Sequence, residues 1–89
     1  MAIGVLVHPR VMERHPELSE SDVLSAWDNT MAQMARLDNE DDRLVALGAD
    51  PQGRLVEMVA SRATDGTWVI FHAMTPPSQK TLRELRMTR

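Results

Sequence analysis

Three stretches in the second half of the chain, residues 43–48, 54–62 and 67–74, are apolar and strand-like. Two turn sequences separate them, Asp50-Pro51-Gln52-Gly53 and Thr64-Asp65-Gly66-Thr67. The first has Pro at its second position, where the fixed φ of the ring suits a type I turn. The second contains Asp-Gly, which is typical of a two-residue hairpin whose central residues both have positive φ. Together these patterns predict an antiparallel meander.

The last predicted strand of this meander is apolar on both faces. Strict alternation of side chains places His72 on the same face as Trp68 and Ile70. A strand that is buried on both faces is expected to have a neighbour on each side. Only residues 2–7 or 31–37 remain to supply the second neighbour, so we expect one of these stretches to pair with it.

The first half of the chain is predicted to be mainly helical. Residues 2–7 are β-branched enough to form a short strand. Pro9 suits the first position of a helix, and Pro16 ends that helix. Ser19, with Asp22 three residues later, predicts the capping box of a second helix.

This second helix is expected to end near Asn29, because Asp28, Asn29 and Thr30 favour local bonds to the backbone outside helices. Its apolar residues at helical spacing are Val23, Leu24, Trp27 and Met31. Residues 31–37 are either the first strand of the sheet or part of a longer helix that reaches Met34. Both alternatives stay open at this point.

The C-terminal region predicts a short helix over residues 79–87, capped by Ser78, with Leu82 and Leu85 as its buried contacts. The fold class is therefore α+β: N-terminal helices, an antiparallel meander of three to four strands, and a short C-terminal helix. At 89 residues, the chain is expected to form one domain, residues 1–89.

Composition excludes several classes of protein. The chain has no cysteine, so disulfides and thiolate metal sites are excluded. No apolar run approaches the roughly 20 residues of a membrane span, and no signal peptide is recognised. We therefore expect a cytoplasmic protein that needs no membrane and no cofactor.

Charge is distributed unevenly along the chain, which has a net charge of −3. Residues 1–50 carry four arginines and ten acidic residues, and four of these acids lie in a predicted solvated loop at residues 38–42. Residues 51–89 carry five arginines, one lysine and three acidic residues. Lys80, Arg83, Arg86 and Arg89 follow one another at spacings of three on the predicted C-terminal helix. This stripe is either a solvated face or a contact surface for RNA phosphates.

Three histidines and one acidic residue are candidates for chemistry. His72, on the last strand, is either a partly buried residue bonded to the backbone or a general acid or base. His8 and His15 are seven residues apart, which is too far for both to hold one metal ion from a single helix, so no metal site is expected. Glu57 is either exposed, paired with an arginine, or a catalytic carboxylate.

Residues 8–14 and 18–23 (His-Pro-Arg-Val-Met-Glu-Arg and Leu-Ser-Glu-Ser-Asp-Val) resemble the opening of small bacterial toxin-like domains. Residues 42–48, 53–57 and 69–74 (the last Val-Ile-Phe-His-Ala-Met) resemble the BrnT-like group of toxins. Both groups are placed in the RelE-like ribonuclease superfamily. The similarity is distributed over roughly residues 8–86.

The resemblance implies the toxin of a type II toxin–antitoxin pair: a metal-independent endoribonuclease acting on RNA and neutralised by an antitoxin protein encoded next to it. It implies His8, His72 and Lys80 as catalytic residues and Arg14 and Arg54 as nucleic-acid-binding residues. Arg83 and Arg86 of the basic helix join the nucleic-acid-binding set. In such an enzyme, cations stabilise the transition state and a general base activates the ribose 2′-hydroxyl.

Two further functions remain open from the sequence. One is a non-catalytic protein-binding domain of the same fold, in other words a degenerate toxin. The other is an α+β subunit that forms homo-oligomers through the edge of its meander and carries out no chemistry.

Overall fold

The computed structural model describes residues 4–36 and 43–86 of the chain. Eight elements follow one another: β1 (Val5–Val7), α1 (Arg10–Arg14), α2 (Glu20–Asp28), β2 (Thr30–Arg36), β3 (Arg43–Ala49), β4 (Leu55–Arg62), β5 (Trp68–Met74) and α3 (Gln79–Glu84). The predicted loop at 38–42 and the end of the predicted last helix lie outside the described residues. No helix in the described part is long and apolar enough to cross a membrane.

The five strands form one sheet in the order β1-β5-β4-β3-β2. The pairs β2–β3, β3–β4 and β4–β5 are antiparallel, whereas β1 runs parallel to β5. The α+β class is confirmed, and β5 has neighbours on both sides as expected. The sheet is larger than the predicted three to four strands because both candidate stretches contribute a strand, β1 at residues 5–7 and β2 at residues 30–36. The helices are not strictly N-terminal because β1 precedes them.

Helix α2 packs against one face of the sheet, where the main core lies. The register pairs Ala46 with Met58 and Gly48 with Val56, so these residues share that face. The core on this side contains Val11, Leu18, Val23, Ala26, Ala46, Val56, Met58, Ala60, Ile70 and Ala73. Val45 and Leu47 alternate with these β3 residues and are fully buried on the opposite face.

A β-bulge interrupts the pairing of β4 with β5. Ala60 pairs with Ile70 and Val59 pairs with His72, which leaves Phe71 as the extra residue. Ile70 therefore faces the helix-covered core, while His72 lies on the opposite face. The prediction that His72 and Ile70 share a face was wrong, because alternation holds only in an unbulged strand.

The second predicted turn also differs from expectation. Gly66 has φ of 90°, but Asp65 does not have positive φ. The Gly66 amide donates to the Ala63 carbonyl at 2.9 Å, and the Ala63 amide donates to the Thr67 carbonyl at 2.8 Å. The loop therefore has three residues with glycine in the left-handed position, a common alternative to the two-residue turn.

Both predicted serine caps are present. The Ser19 side chain accepts from the Asp22 amide and the Asp22 carboxylate accepts from the Ser19 amide, which completes the capping box of α2. Ser78 caps α3 by accepting from the Thr81 amide. In α3 the fully buried residue is Thr81, whereas Leu82 and Leu85, the predicted contacts, are only partly buried.

Gly48 sets the distance between α2 and the sheet. A Cβ atom built at this position would overlap the carbonyl oxygen of Ala26 and lie 2.8 Å from its carbonyl carbon. These are backbone atoms, which cannot rotate away as a flexible side chain could. Only glycine allows the helix to approach the strand so closely.

We predict that Gly48→Ala lowers the free energy of unfolding by about 1–3 kcal/mol, because α2 must move away from β3. Urea unfolding followed by circular dichroism measures the change. Gly4→Ala is the matched control, since a Cβ there meets only Thr67 at an ordinary 3.7 Å. Equal stability of the two variants would contradict this account of the helix–sheet contact.

Candidate functional site

A cleft of about 310 Å³ lies between α1 and the β4–β5 part of the sheet. Strand β1 pairs only with residues 68–70 of β5, and α1 packs beside the remainder of that strand. The residues that line the cleft are Arg10, Val11, Arg14, His15, Arg43, Val59, Phe71, His72 and Ala73. We call this the Arg–His cleft.

Three of the lining residues are arginines, and none of those that belong to the described part of the chain is acidic. Arg10 and Arg14 lie one turn apart on α1, so their side chains project from the same side of the helix. The Arg43 guanidinium carbon lies 5.5 Å from the centre of the Phe71 ring, within the range of a cation–π contact. The cleft therefore concentrates positive charge, in the forked form that suits phosphate.

Two imidazoles face each other in the same cleft. His15 is the C-cap of α1, where its amide donates to the Val11 carbonyl at 2.9 Å. Its ring lies edge-on to that of His72, with a centroid distance of 6.2 Å and an interplanar angle of 88°. The Nδ1 atom of His15 is 3.5 Å from a carboxylate oxygen of Glu17. The site thus holds two imidazoles, a side-chain type that serves as an acid or a base in catalysis.

Behind His72 lies the buried carboxylate of Glu57, on the adjacent strand. Its Oε2 atom is 2.7 Å from Nε2 of His72. Its Oε1 atom accepts from the Ser78 amide at 2.8 Å and from the Ser78 hydroxyl at 2.9 Å. Burial raises the pKa of Glu57, but hydrogen bonds from His72, Ser78 and Thr81 outweigh burial and lower the pKa from 4.5 to about 2. The carboxylate is therefore ionised at neutral pH. Of the alternatives that the sequence left open, exposure is excluded by its burial, and the charged partner that the structure gives it is a histidine.

A second charged cluster joins α2 to the β3–β4 turn. The Nε atom of Arg54 donates to Asp50 at 2.6 Å, and its Nη2 atom lies 3.3 Å from Asp22. The Asp50 side chain is fully buried. Burial raises the pKa of Asp50, but bonds from the backbone and side chain of Arg54 lower it overall. The Arg54 guanidinium is thus engaged in holding the turn against α2.

The structure brings only two of the seven predicted site residues, Arg14 and His72, into the Arg–His cleft. The other five lie elsewhere: His8, Arg54, Lys80, Arg83 and Arg86. His8 follows β1, and its Nδ1 atom accepts from the Arg10 amide at 3.1 Å. Lys80 is 78% exposed on α3, with its Nζ atom 4.0 Å from Glu84. His8, Arg54 and Lys80 therefore do not converge on this cleft.

Sequence reasoning missed four residues of this site: Arg10, His15, Arg43 and Glu57 as the partner of His72. The spacing of Arg10 and Arg14 indicated that they share a helix face, but not that the helix lies beside β5. Glu57 and His72 are 15 residues apart, on strands that pair. If the bulge at Phe71 had been included when β4 was aligned with β5, Glu57 and His72 would have been placed on the same face of the sheet.

Within residues 4–36 and 43–86, no group of three or more His, Cys, Asp or Glu residues could hold a metal ion. Comparisons of the chain with family models, curated proteins and solved structures give no match. The resemblance to BrnT-like toxins thus remains a prediction from the sequence, and the cleft must be interpreted from its own geometry.

We predict a loss of stability in acid that depends on Glu57. Its pKa is lower in the folded state than in the unfolded chain, so its contribution is complete above about pH 5 and is lost as the pH falls from 4.5 towards 2. The full difference corresponds to about 3 kcal/mol, of which about 2 kcal/mol is lost between pH 5 and pH 3.

Urea unfolding at these two pH values tests this, with Glu57→Gln as the variant that lacks the titrating group. The difference in unfolding free energy between the two pH values should be about 2 kcal/mol smaller for Glu57→Gln than for the wild type. Glu20→Gln, at an exposed position of α2, should keep the wild-type dependence. If the unfolding free energy of Glu57→Gln fell between pH 5 and pH 3 as much as that of the wild type, Glu57 would not be the group that causes the loss of stability in acid.

We also predict that Arg54→Ala lowers the free energy of unfolding by about 1–3 kcal/mol, because the buried Asp50 loses its partner. The value lies below that of a fully buried pair because the Arg54 side chain is 36% exposed and partly screened by solvent. Arg83→Ala, on the exposed side of α3, should change stability by less than about 0.5 kcal/mol. Urea unfolding of both variants makes the comparison, and equal effects would be inconsistent with a structural role for Arg54.

Proposed function

We propose that this chain is a metal-independent endoribonuclease, the toxin of a type II toxin–antitoxin pair, and that RNA is cut in the Arg–His cleft. One observation carries the proposal: three arginines and two imidazoles converge on a single cleft, and none of its lining residues within the described ranges 4–36 and 43–86 is acidic. The resemblance to BrnT-like toxins points to the same activity from the sequence.

The arginines suit the binding of a phosphodiester. Guanidinium groups form paired hydrogen bonds to phosphate oxygens and stay charged at any physiological pH. In the transition state of RNA cleavage, the phosphorus carries additional negative charge on its oxygens. Arg10, Arg14 and Arg43 stabilise this charge more strongly than the charge of the bound substrate, which lowers the barrier.

The two histidines divide the proton transfers. His72 acts as the base in this proposal, because the anionic Glu57 is bonded to it and faces the imidazolium that forms when it takes a proton. His15 then serves as the acid, since its own carboxylate contact, with Glu17, is longer and more exposed.

The reaction is an intramolecular transfer on phosphorus. His72 removes the proton from the ribose 2′-hydroxyl, and the 2′-oxygen forms a bond to phosphorus. The bond from phosphorus to the 5′-oxygen breaks, and protonated His15 gives its proton to that oxygen. The products are a 2′,3′-cyclic phosphate and a free 5′-hydroxyl. No metal ion or other reactant is needed, and DNA cannot react because it lacks the nucleophile.

An antitoxin encoded next to this chain is the partner that the resemblance implies. We propose that it neutralises the toxin by covering the Arg–His cleft, where an acidic segment would be complementary to the arginines. Co-expression with the neighbouring gene should then relieve any growth arrest that the chain causes.

We predict that the wild type cleaves RNA in the presence of EDTA, and that His72→Ala lowers the rate on the order of 10²- to 10⁴-fold. Arg14→Gln should lower it about 10- to 1000-fold. The assays are cleavage of a short single-stranded RNA and mapping of mRNA ends in induced cells. Replacing the reactive 2′-hydroxyl by hydrogen should abolish cleavage.

Arg62→Gln is the matched control, because it removes the same charge from the exposed end of β4, outside the cleft lining, and should keep at least half of the activity. Circular dichroism confirms that each variant is folded. Absence of cleavage in both assays, or equal losses in Arg14→Gln and Arg62→Gln, would overturn the proposal and favour a non-catalytic protein-binding domain.

A further inference from the structure

The Glu57 carboxylate occupies a position with a fixed set of donors and acceptors. Its Oε1 atom lies 2.8 Å from the Ser78 amide, which can only donate. The Ser78 hydroxyl lies 2.9 Å from the same Oε1 and 3.2 Å from Oγ1 of Thr81, so its hydrogen has two acceptors within reach. The Ser78 amide has no such choice, and Oε1, which accepts from it, therefore carries no proton.

The direction of the hydrogen bond between Glu57 and His72 follows from the ionised state of the carboxylate. Oε2 of Glu57 lies 2.7 Å from Nε2 of His72, and one of the two atoms must supply the hydrogen. Since the carboxylate is ionised, the hydrogen belongs to the imidazole. A neutral His72 then carries its proton on Nε2 and leaves the lone pair on Nδ1.

We infer that Glu57 is a positioning residue, fixed by Ser78, that holds His72 in the Nε2–H tautomer and makes Nδ1 the atom that exchanges protons in the Arg–His cleft. The use of that proton in RNA cleavage rests on the proposed function. The tautomer itself does not, because it follows from the donors around Glu57.

The charged surroundings of His72 give Glu57 a second effect. Arg10, Arg14 and His15 of α1 and Arg43 of β3 line the same cleft, and all are cationic when protonated. Glu57 is the acidic residue bonded to His72. When His72 takes a proton, Glu57 compensates a charge that the arginines oppose.

Glu57→Gln tests the inference sharply, because Gln has one acceptor and one donor end. The Ser78 amide can only donate and therefore holds the oxygen of the Gln side chain, so the NH₂ group faces Nε2 of His72 and donates to it. The variant should therefore invert the tautomer and place the proton on Nδ1. Glu20→Gln removes the same charge from an exposed site and should leave the tautomer unchanged.

The measurement is ¹⁵N–¹H correlation spectroscopy of the histidine rings at a pH where His72 is neutral. The wild type should show a protonated Nε2, and Glu57→Gln a protonated Nδ1. A wild type with its proton on Nδ1, or an equal mixture of tautomers, would overturn the inference even if no variant folds. An unchanged tautomer in folded Glu57→Gln would overturn it as well.

Kinetics separates this inference from the proposed function. In an active enzyme, Glu57→Gln should lower kcat on the order of 10²- to 10⁴-fold with KM changed less than about threefold, because Glu57 lies behind His72 and outside the cleft lining. If the spectra show the predicted tautomer but the protein cuts no RNA, the proposed function is wrong and the positioning role of Glu57 stands. Cleavage with unchanged kcat in Glu57→Gln keeps the function and rejects that role.

Discussion

The β-bulge at Phe71 reverses the direction of the side chains that follow it in β5. Without the extra residue, His72 would point to the same face as Ile70, into the core beneath α2, and could not reach Glu57. With it, Ala73 returns to the core and His72 meets the carboxylate at 2.7 Å. Bulges commonly re-aim one side chain in this way next to sites of chemistry. The geometry of the Arg–His cleft depends on this irregularity more than on any other single feature.

Most of the fold could be predicted from the sequence because its signals are local. Ser19 and Ser78 identify the starts of two helices, and runs of apolar residues identify the strands. The candidate site could not be predicted in the same way, because its contacts join distant segments. His15 and His72 are separated by most of the chain, and the bulge leaves no signature in a pattern of alternating residues. The resemblance placed His8 and Lys80 in the site by their order along the chain, and the cleft contains neither.

The charge distribution shows why totals along a chain can mislead. All three cleft arginines belong to the first half, which is strongly acidic overall, while the basic second half contributes an imidazole and apolar lining. Two acidic residues of the first half, Asp22 and Asp50, are paired with Arg54, whereas Glu17 lies 3.5 Å from Nδ1 of the cleft residue His15. A polyanion responds to the charged groups at the surface that it meets, and not to the net charge of the chain.

The shortness of β1 has a consequence of its own. The strand accompanies β5 only as far as Ile70, and Pro9, with φ of −55° and ψ of −28°, then turns the chain into a helix. If the chain had stayed extended for a few more residues, β1 would have continued its parallel pairing with β5 along Phe71 and Ala73. The edge of β5 that now borders the Arg–His cleft would then be covered by a strand. The Arg–His cleft therefore lies beside the part of β5 that β1 does not cover, and the pyrrolidine ring of Pro9 is what ends β1 at that point.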